Sequence, residues 1–169
     1  MKYVKAKSIS YGSKRSRNSV IYIVIHNTGN KGDLAISNAN YFAKTNTRQA
    51  GAHIFIDQKG DIVKSIALNL IGWSVGGNQK SGRNGEAKYY GKCTNSNSVS
   101  IELCDIVDKY PSRDMIIAVR KAIKYIRKRC PNATRIIRHW DVNGKDCPHL
   151  FAGEDNKKWE KFLRDIGEE

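Results

Sequence analysis

His139 and Cys147 stand eight positions apart in the run Arg138-His-Trp-Asp-Val-Asn-Gly-Lys-Asp-Cys-Pro148, and His26 closes the apolar run Ile21-Tyr-Ile-Val-Ile25 far upstream. Two imidazoles and one thiolate form a zinc ligand set with one coordination position left over. A structural site would close that position with a fourth protein ligand. An open one lets the metal activate water near neutral pH. The chain therefore reads first as a zinc hydrolase. Taken singly, each group has a plainer reading: a histidine at a strand end is commonly packed or solvated, and a cysteine before proline is commonly structural. The combination is stronger, because each candidate falls where a strand should give way to a loop.

Those groups need a scaffold, and the composition supplies one. A chain of 169 residues with 40% apolar content suits one domain with a real core. That domain is expected to span residues 1–169, with its core at about 20–150. No apolar run approaches the length of a membrane helix. The start, Met1-Lys-Tyr-Val-Lys-Ala-Lys7, is basic but lacks the apolar stretch of a signal peptide. Synthesis in the cytoplasm is expected, with release by another component if the protein acts outside. Of the four cysteines, Cys93, Cys104 and Cys130 remain if Cys147 holds metal. Three thiols do not make a disulfide framework, and buried thiols are the expectation for them. The net charge of +14 implies attraction to a polyanion, either nucleic acid or the anionic polymers of a bacterial wall, or serves solubility alone.

Residues 1–20 read as an extended lead-in. Val20–Ile25 is a continuous β-branched run, as in a strand covered on both faces. Asp33 is the expected N-cap of a helix reaching about Lys44, with Ala35, Ala39 and Phe42 on its inner face. Gly51–Asp57 alternates like a half-buried strand, and Gln58-Lys-Gly60 turns it into a hairpin with Ile62–Ser65. Ile71–Tyr90 reads as a long loop. Ser98–Leu103 is a strand, and Ser112 caps a helix to about Lys128 with Met115, Ile116, Val119, Ile123 and Ile126 as its stripe. Thr134–Arg138 is a short strand ending at His139. A final helix spans about 155–166, anchored by Trp159, Phe162, Leu163 and Ile166. Strands alternating with helices predict an α/β fold, one sheet flanked by helices.

The segments Val24-Ile-His-Asn-Thr28, Gly51-Ala-His-Ile-Phe55, Ile71-Gly-Trp73, Ser98-Val-Ser-Ile-Glu102 and Arg138–Pro148 occur in an order that resembles the zinc-dependent N-acetylmuramoyl-L-alanine amidases of type 2, relatives of peptidoglycan recognition proteins and phage endolysins. The resemblance covers about residues 20–150. It implies a mixed central sheet packed by helices, with the metal at one end. It implies that His26, His139 and Cys147 bind one Zn²⁺, that Glu102 is the acid/base carboxylate, and that Lys145 lies beside the reacting carbonyl. It also implies bacterial peptidoglycan as the substrate, cut between N-acetylmuramic acid and L-alanine by an endolysin or autolysin. Two positions depart from the usual pattern. Ala52 replaces an aromatic residue, and Ser74 replaces the histidine that follows the Trp; both were candidates to line the groove.

The chemistry is consistent with those roles. Hydrolysis of an unactivated amide needs a nucleophile, stabilisation of the oxyanion and a proton for the leaving amine. Zinc can supply the first and share in the second; Glu102 suits a general base for the metal-bound water and then a proton donor to the amine, and Lys145 offers fixed positive charge to the oxyanion. His53 is a candidate to contact the substrate groove or a ligand, with a structural role as the alternative. Trp73 is a candidate to stack on a sugar, with core packing as the alternative. Asp141 and Asp146 are candidates to orient a ligand imidazole, and His149 is a competing ligand placed near the metal by sequence alone. The expected partners are peptidoglycan and anionic wall polymers, with no membrane, no nucleic acid and a monomeric state. No second wall-binding module is legible. The alternatives are a non-catalytic peptidoglycan-binding module and a zinc-containing nucleic-acid-binding protein; the second lacks paired finger ligands.

Overall fold

The structure is a computed structural model that describes residues 1–76 and 87–168. It is an α/β domain built on a mixed six-stranded sheet. The strands are β1 (Lys2–Tyr3), β3 (Tyr22–Asn27), β4 (Ile54–Ile56), β5 (Ile62–Lys64), β7 (Ser98–Leu103) and β8 (Arg135–Arg138), in the order β1-β5-β4-β7-β3-β8. A separate pair joins β2 (Tyr11–Lys14) to β6 (Leu70–Gly72). The helices are α1 (Ala35–Lys44), α2 (Arg113–Arg127), α3 (His139–Asn143) and α4 (Lys157–Ile166). No helix among the described residues is long and apolar enough to cross a membrane.

Alternation along the strands sorts side chains onto two faces. Ile23, Ile25, Ile54, Ile56, Val99, Ile101 and Leu103 face α2 and α4 in the largest core cluster. The stripe of α2 meets them, since Met115, Ile116, Val119, Ile123 and Ile126 are buried. On the opposite face, Tyr22 and Val24 pack with Ile137 and Val142, and Phe55 packs with Ala35 and Ala39 of α1. His26 and Glu102 continue that second face at the strand ends. The β3 and β7 strands run parallel, and their register pairs His26 with Glu102.

Several sequence expectations hold. Val20–Ile25 falls in or beside a strand covered on both faces, and β4 and β5 form the antiparallel hairpin. Ser112 caps α2 through its Oγ, which accepts the Met115 N–H at 3.0 Å.

Others are corrected. The first twenty residues are not a mere lead-in. They supply the edge strand β1, which pairs with β5, and β2, which pairs with β6. Gly51–Asp57 is buried on both faces rather than half-buried, because β4 lies inside the sheet between β5 and β7. The start of the long loop is β6, and the part at 77–86 lies outside the described residues. The last helix, α4, starts at Lys157 behind the N-cap Asn156, two residues later than expected. His139 opens α3 instead of entering a loop.

Asp33 does not cap α1 either. The N-cap position is Leu34, whose side chain makes no capping bond. The carboxylate of Asp57 does the work from across the sheet. Its Oδ2 accepts the Ala35 N–H at 3.0 Å, and its Oδ1 accepts the N–H groups of Lys59 and Asp61. Asp33 instead accepts the Asn38 side-chain amide at 2.6 Å. Asp57→Ala should therefore cost about 1–3 kcal/mol, the loss of a buried acceptor serving three donors. Asp33→Ala should cost no more than about 1 kcal/mol, the net worth of one hydrogen bond. Denaturant unfolding of the metal-free variants checks the order, and a larger loss for Asp33→Ala would contradict it.

Candidate metal centre

His26, His139 and Cys147 meet at the carboxyl ends of the parallel strands. One ligand atom from each lies within 4.8 Å of the others, and all three residues are buried. Cys147 Sγ is 3.7 Å from His26 Nδ1, and the two imidazole centroids are 4.7 Å apart at 63°. Tetrahedral zinc with legs of about 2.0–2.3 Å separates its ligand atoms by about 3.3–3.7 Å. The sulfur and His26 already stand at that spacing. His26 Nε2 and His139 Nδ1 are buried with no hydrogen-bond partner. Buried polar nitrogens are normally paired, so His139 Nδ1 fits a group that is to be bound, while His26 offers the Nδ1 that stands at ligand spacing from the sulfur. The donor set of two imidazoles and a thiol suits zinc.

The local sequence fixes each ligand by a separate device. His26 rides on β3 between β7 and β8. His139 is set by the turn from β8 into α3. There the buried Arg138 donates to Asp141, to the Phe151 carbonyl at 2.6 Å and to the Gly153 carbonyl at 2.9 Å. Asp141 also accepts the Arg138 backbone N–H at 2.8 Å. Cys147 is returned to the site by the Trp140 N–H, which donates to its carbonyl at 2.7 Å.

Burial leaves the metal-free ligands uncharged. His26 is held well below the ordinary histidine range by burial, then by His139 and Lys145. Burial and Lys145 lower His139 to about 3. The Cys147 thiol is pushed up to about 12, first by burial and then by Glu102. Glu102 is raised to about 7 by burial, with Asp33 adding to the rise and Lys145 opposing it. Its Oε2 is buried without a partner.

The trio opens on a cavity of about 560 Å³, a size that admits a small ligand. Glu102, Lys145, Trp73 and Ser74 line it, as do Thr28, Asp33, Tyr41, Phe42 and Arg48. The Trp73 ring rests over Gly12, where a Cβ would stand 2.7 Å from Cζ2.

Other candidates lie elsewhere. His53 is fully buried in the sheet and does not line the cavity. Its Nδ1 accepts the Ser100 N–H at 3.2 Å, its Nε2 meets the Leu70 carbonyl at 3.1 Å, and burial and Arg15 lower it to about 3. It thus ties β4 to β7 and β6. Ala52 is buried under α1, so only Ser74 of the two departures reaches the groove. Asp141 holds Arg138, and Asp146 holds the exposed His149, so neither orients a ligand imidazole. That contact falls to Asn143, whose side-chain amide lies 3.0 Å from His139 Nε2. The four-residue helical spacing of His139 and Asn143 was the signal for it. Arg48 and Thr28 carried no such signal.

Residues 16–150 match the N-acetylmuramoyl-L-alanine amidase family. The chain belongs to this family. Relatives include the N-acetylmuramoyl-L-alanine amidases CwlA and XlyB of Bacillus subtilis (strain 168). CwlA is 28% identical over 136 residues, covering 79% of this chain and 44% of CwlA. XlyB is 26% identical over 153 residues, covering 89% of this chain and 43% of XlyB. The chain thus spans less than half the length of these two relatives. The solved structure of PlyL shares the fold, with a TM-score of 0.72 at 20% identity, over 98% of this chain and 96% of PlyL.

The protonation states make a prediction. Zinc binding must deprotonate Cys147, while both histidines are already neutral, so uptake near pH 8 should release about one proton per chain. Affinity should rise with pH. Calorimetry in buffers of different ionisation enthalpy checks the count; release of no proton would contradict the ligand set.

Proposed function

We propose that this family member is a zinc-dependent hydrolase of the amide between N-acetylmuramic acid and L-alanine in bacterial peptidoglycan, acting as an endolysin or autolysin at the cell wall. The observation that carries the reading is the buried His26–His139–Cys147 trio opening on a cavity beside Glu102. His26, His139 and Cys147 would hold one Zn²⁺. Zinc, when bound, would supply Lewis acidity for polarising the amide and activating water.

The chain's own groups supply the proton chemistry. Glu102 takes up a proton during attack and returns one to the departing amine. With a carboxyl pKa near 7 in the metal-free protein, both forms are accessible around neutrality. Lys145 brings positive charge to the carbonyl oxygen as negative charge develops there. Trp73 borders the cavity and offers an apolar ring face to a sugar or peptide.

Glu102→Gln should retain about one zinc per chain and lose roughly 10²–10⁴ in rate, the usual size of acid/base catalysis. Cys147→Ser should lose zinc as well as activity. Metal analysis beside muramyl-peptide hydrolysis separates the two. Near-wild-type turnover by Glu102→Gln would place the base elsewhere.

Anionic wall polymers are a second element of the reading, motivated by the net charge of +14. Arg120, Lys124, Arg127 and Lys128 project from α2 in a patch that extends to Ile166 of α4. Arg120 already donates to the Asp165 carbonyl, and Arg127 pairs with Glu168, so Lys124 and Lys128 are the more available pair. Such attraction is screened over about 10 Å at 0.1 M salt. Wall sedimentation should fall as salt rises, while hydrolysis of a small neutral muramyl peptide changes little. Salt-independent sedimentation would remove charge from the capture step.

A further inference from the structure

The cavity has a second charged end. Arg48 lines it beyond α1, with an exposed side chain. Its backbone is held from beneath by Asn46, which is 0% exposed. The Asn46 amide nitrogen donates to Ser10 Oγ at 2.9 Å, to the Arg48 carbonyl at 2.9 Å and to the Ala50 carbonyl at 3.0 Å. Its Oδ1 accepts the Arg48 N–H at 3.1 Å. The Asn46 N–H closes on Tyr41 of α1, and the Gly51 N–H closes on the Trp73 carbonyl. A Cβ at Gly51 would stand 2.8 Å from Ser10 Cβ, so the segment presses on its neighbour without room to shift. A fully satisfied buried amide network of this kind rigidifies the backbone it serves.

The cation on this fixed segment has no acidic partner among the described residues. Three other arginines are engaged in the fold: Arg138 and Arg127 are bonded to carboxylates, and Arg15 to backbone carbonyls. Among the described residues the charged groups lining the cavity are Asp33, Glu102, Lys145 and Arg48. Lys145 acts at the metal end, where its field reaches His26, His139 and Glu102. Arg48 does not figure in the electrostatics of those groups. The reacting amide is neutral, whereas the carboxylates of a peptidoglycan stem lie farther along the peptide.

We propose that Arg48 receives a carboxylate of the stem peptide beyond the scissile amide, and that this contact makes the protein distinguish stems with that carboxylate free from stems in which it is amidated. The inference rests on the amidase reading of the same cavity. A guanidinium suits the task, because its planar fork binds a carboxylate through two parallel N–H donors. Tyr41 and Phe42 give the adjoining wall an apolar surface for the peptide itself.

The test uses two soluble muramyl peptides that differ only in amidation of the carboxylate on the second stem residue. The zinc-loaded wild type should prefer the free carboxylate by about fivefold in kcat/KM, the upper end for an ion pair at an exposed position. The difference should appear in KM. Arg48→Ala should bring the ratio to about one, Arg48→Lys should keep part of it, and Arg48→Glu should invert it. Inversion is a result that structural damage cannot produce, and thermal melting checks that each variant folds. A wild-type ratio near one, or a ratio that survives in Arg48→Ala and Arg48→Glu, would overturn the inference. Failure of the wild type to cut either peptide would instead overturn the amidase reading, and the inference with it.

Discussion

Two imidazoles and a thiol are buried side by side with too few hydrogen-bond partners, and the domain is arranged around that fact. An unpaired buried polar group costs about 1–3 kcal/mol, and His139 Nδ1 is such an atom within the cluster. A fold does not accumulate such costs at one spot without a return, and metal coordination is the return these donors fit. The same burial that makes the ligands costly also keeps both histidines neutral and ready to coordinate. Only the thiol must give up a proton.

The sheet makes the arrangement possible. Parallel pairing of β3 with β7 and β8 brings three strand ends to one edge, where functional groups of open α/β sheets gather. A shift of one residue in the β3–β7 register would turn Glu102 toward the α2 face and into the core. The register is held by continuous β-branched packing beneath it and by His53, which bonds to Ser100 two residues before Glu102. His53 therefore serves the site without touching it. Arg138 plays the matching part on the other side, tying the start of α3 to the segment after Cys147.

Much of this was legible in the residues. That His26, His139 and Cys147 gather with Glu102 beside one cavity could be anticipated because their types are chemically specific and because strand periodicity put them at element ends. The apolar stripes of α2 and α4 were legible for the same reason, since burial of a helix face writes a 3.6-residue pattern into the chain. What the sequence hid was long-range pairing. Asp57 caps α1 from 22 positions away, which no local capping rule detects. The first twenty residues look like a polar lead-in because an edge strand needs little apolar content. His53 has the same side chain as a catalytic histidine, and only its neighbours Ser100, Leu70 and Arg15 reveal a structural one. Arg48 is one basic residue among thirty, and only the buried Asn46 network marks it out.

The central claim is that this cavity cuts one particular amide. Mass spectrometry of purified peptidoglycan digested with the zinc-loaded protein tests it most directly. The account predicts stem peptides with a newly exposed N-terminal L-alanine and glycan strands whose muramic acid carries a free lactyl carboxylate, and neither product with Cys147→Ser. Cleavage at a glycosidic bond, or within the stem peptide, would contradict it.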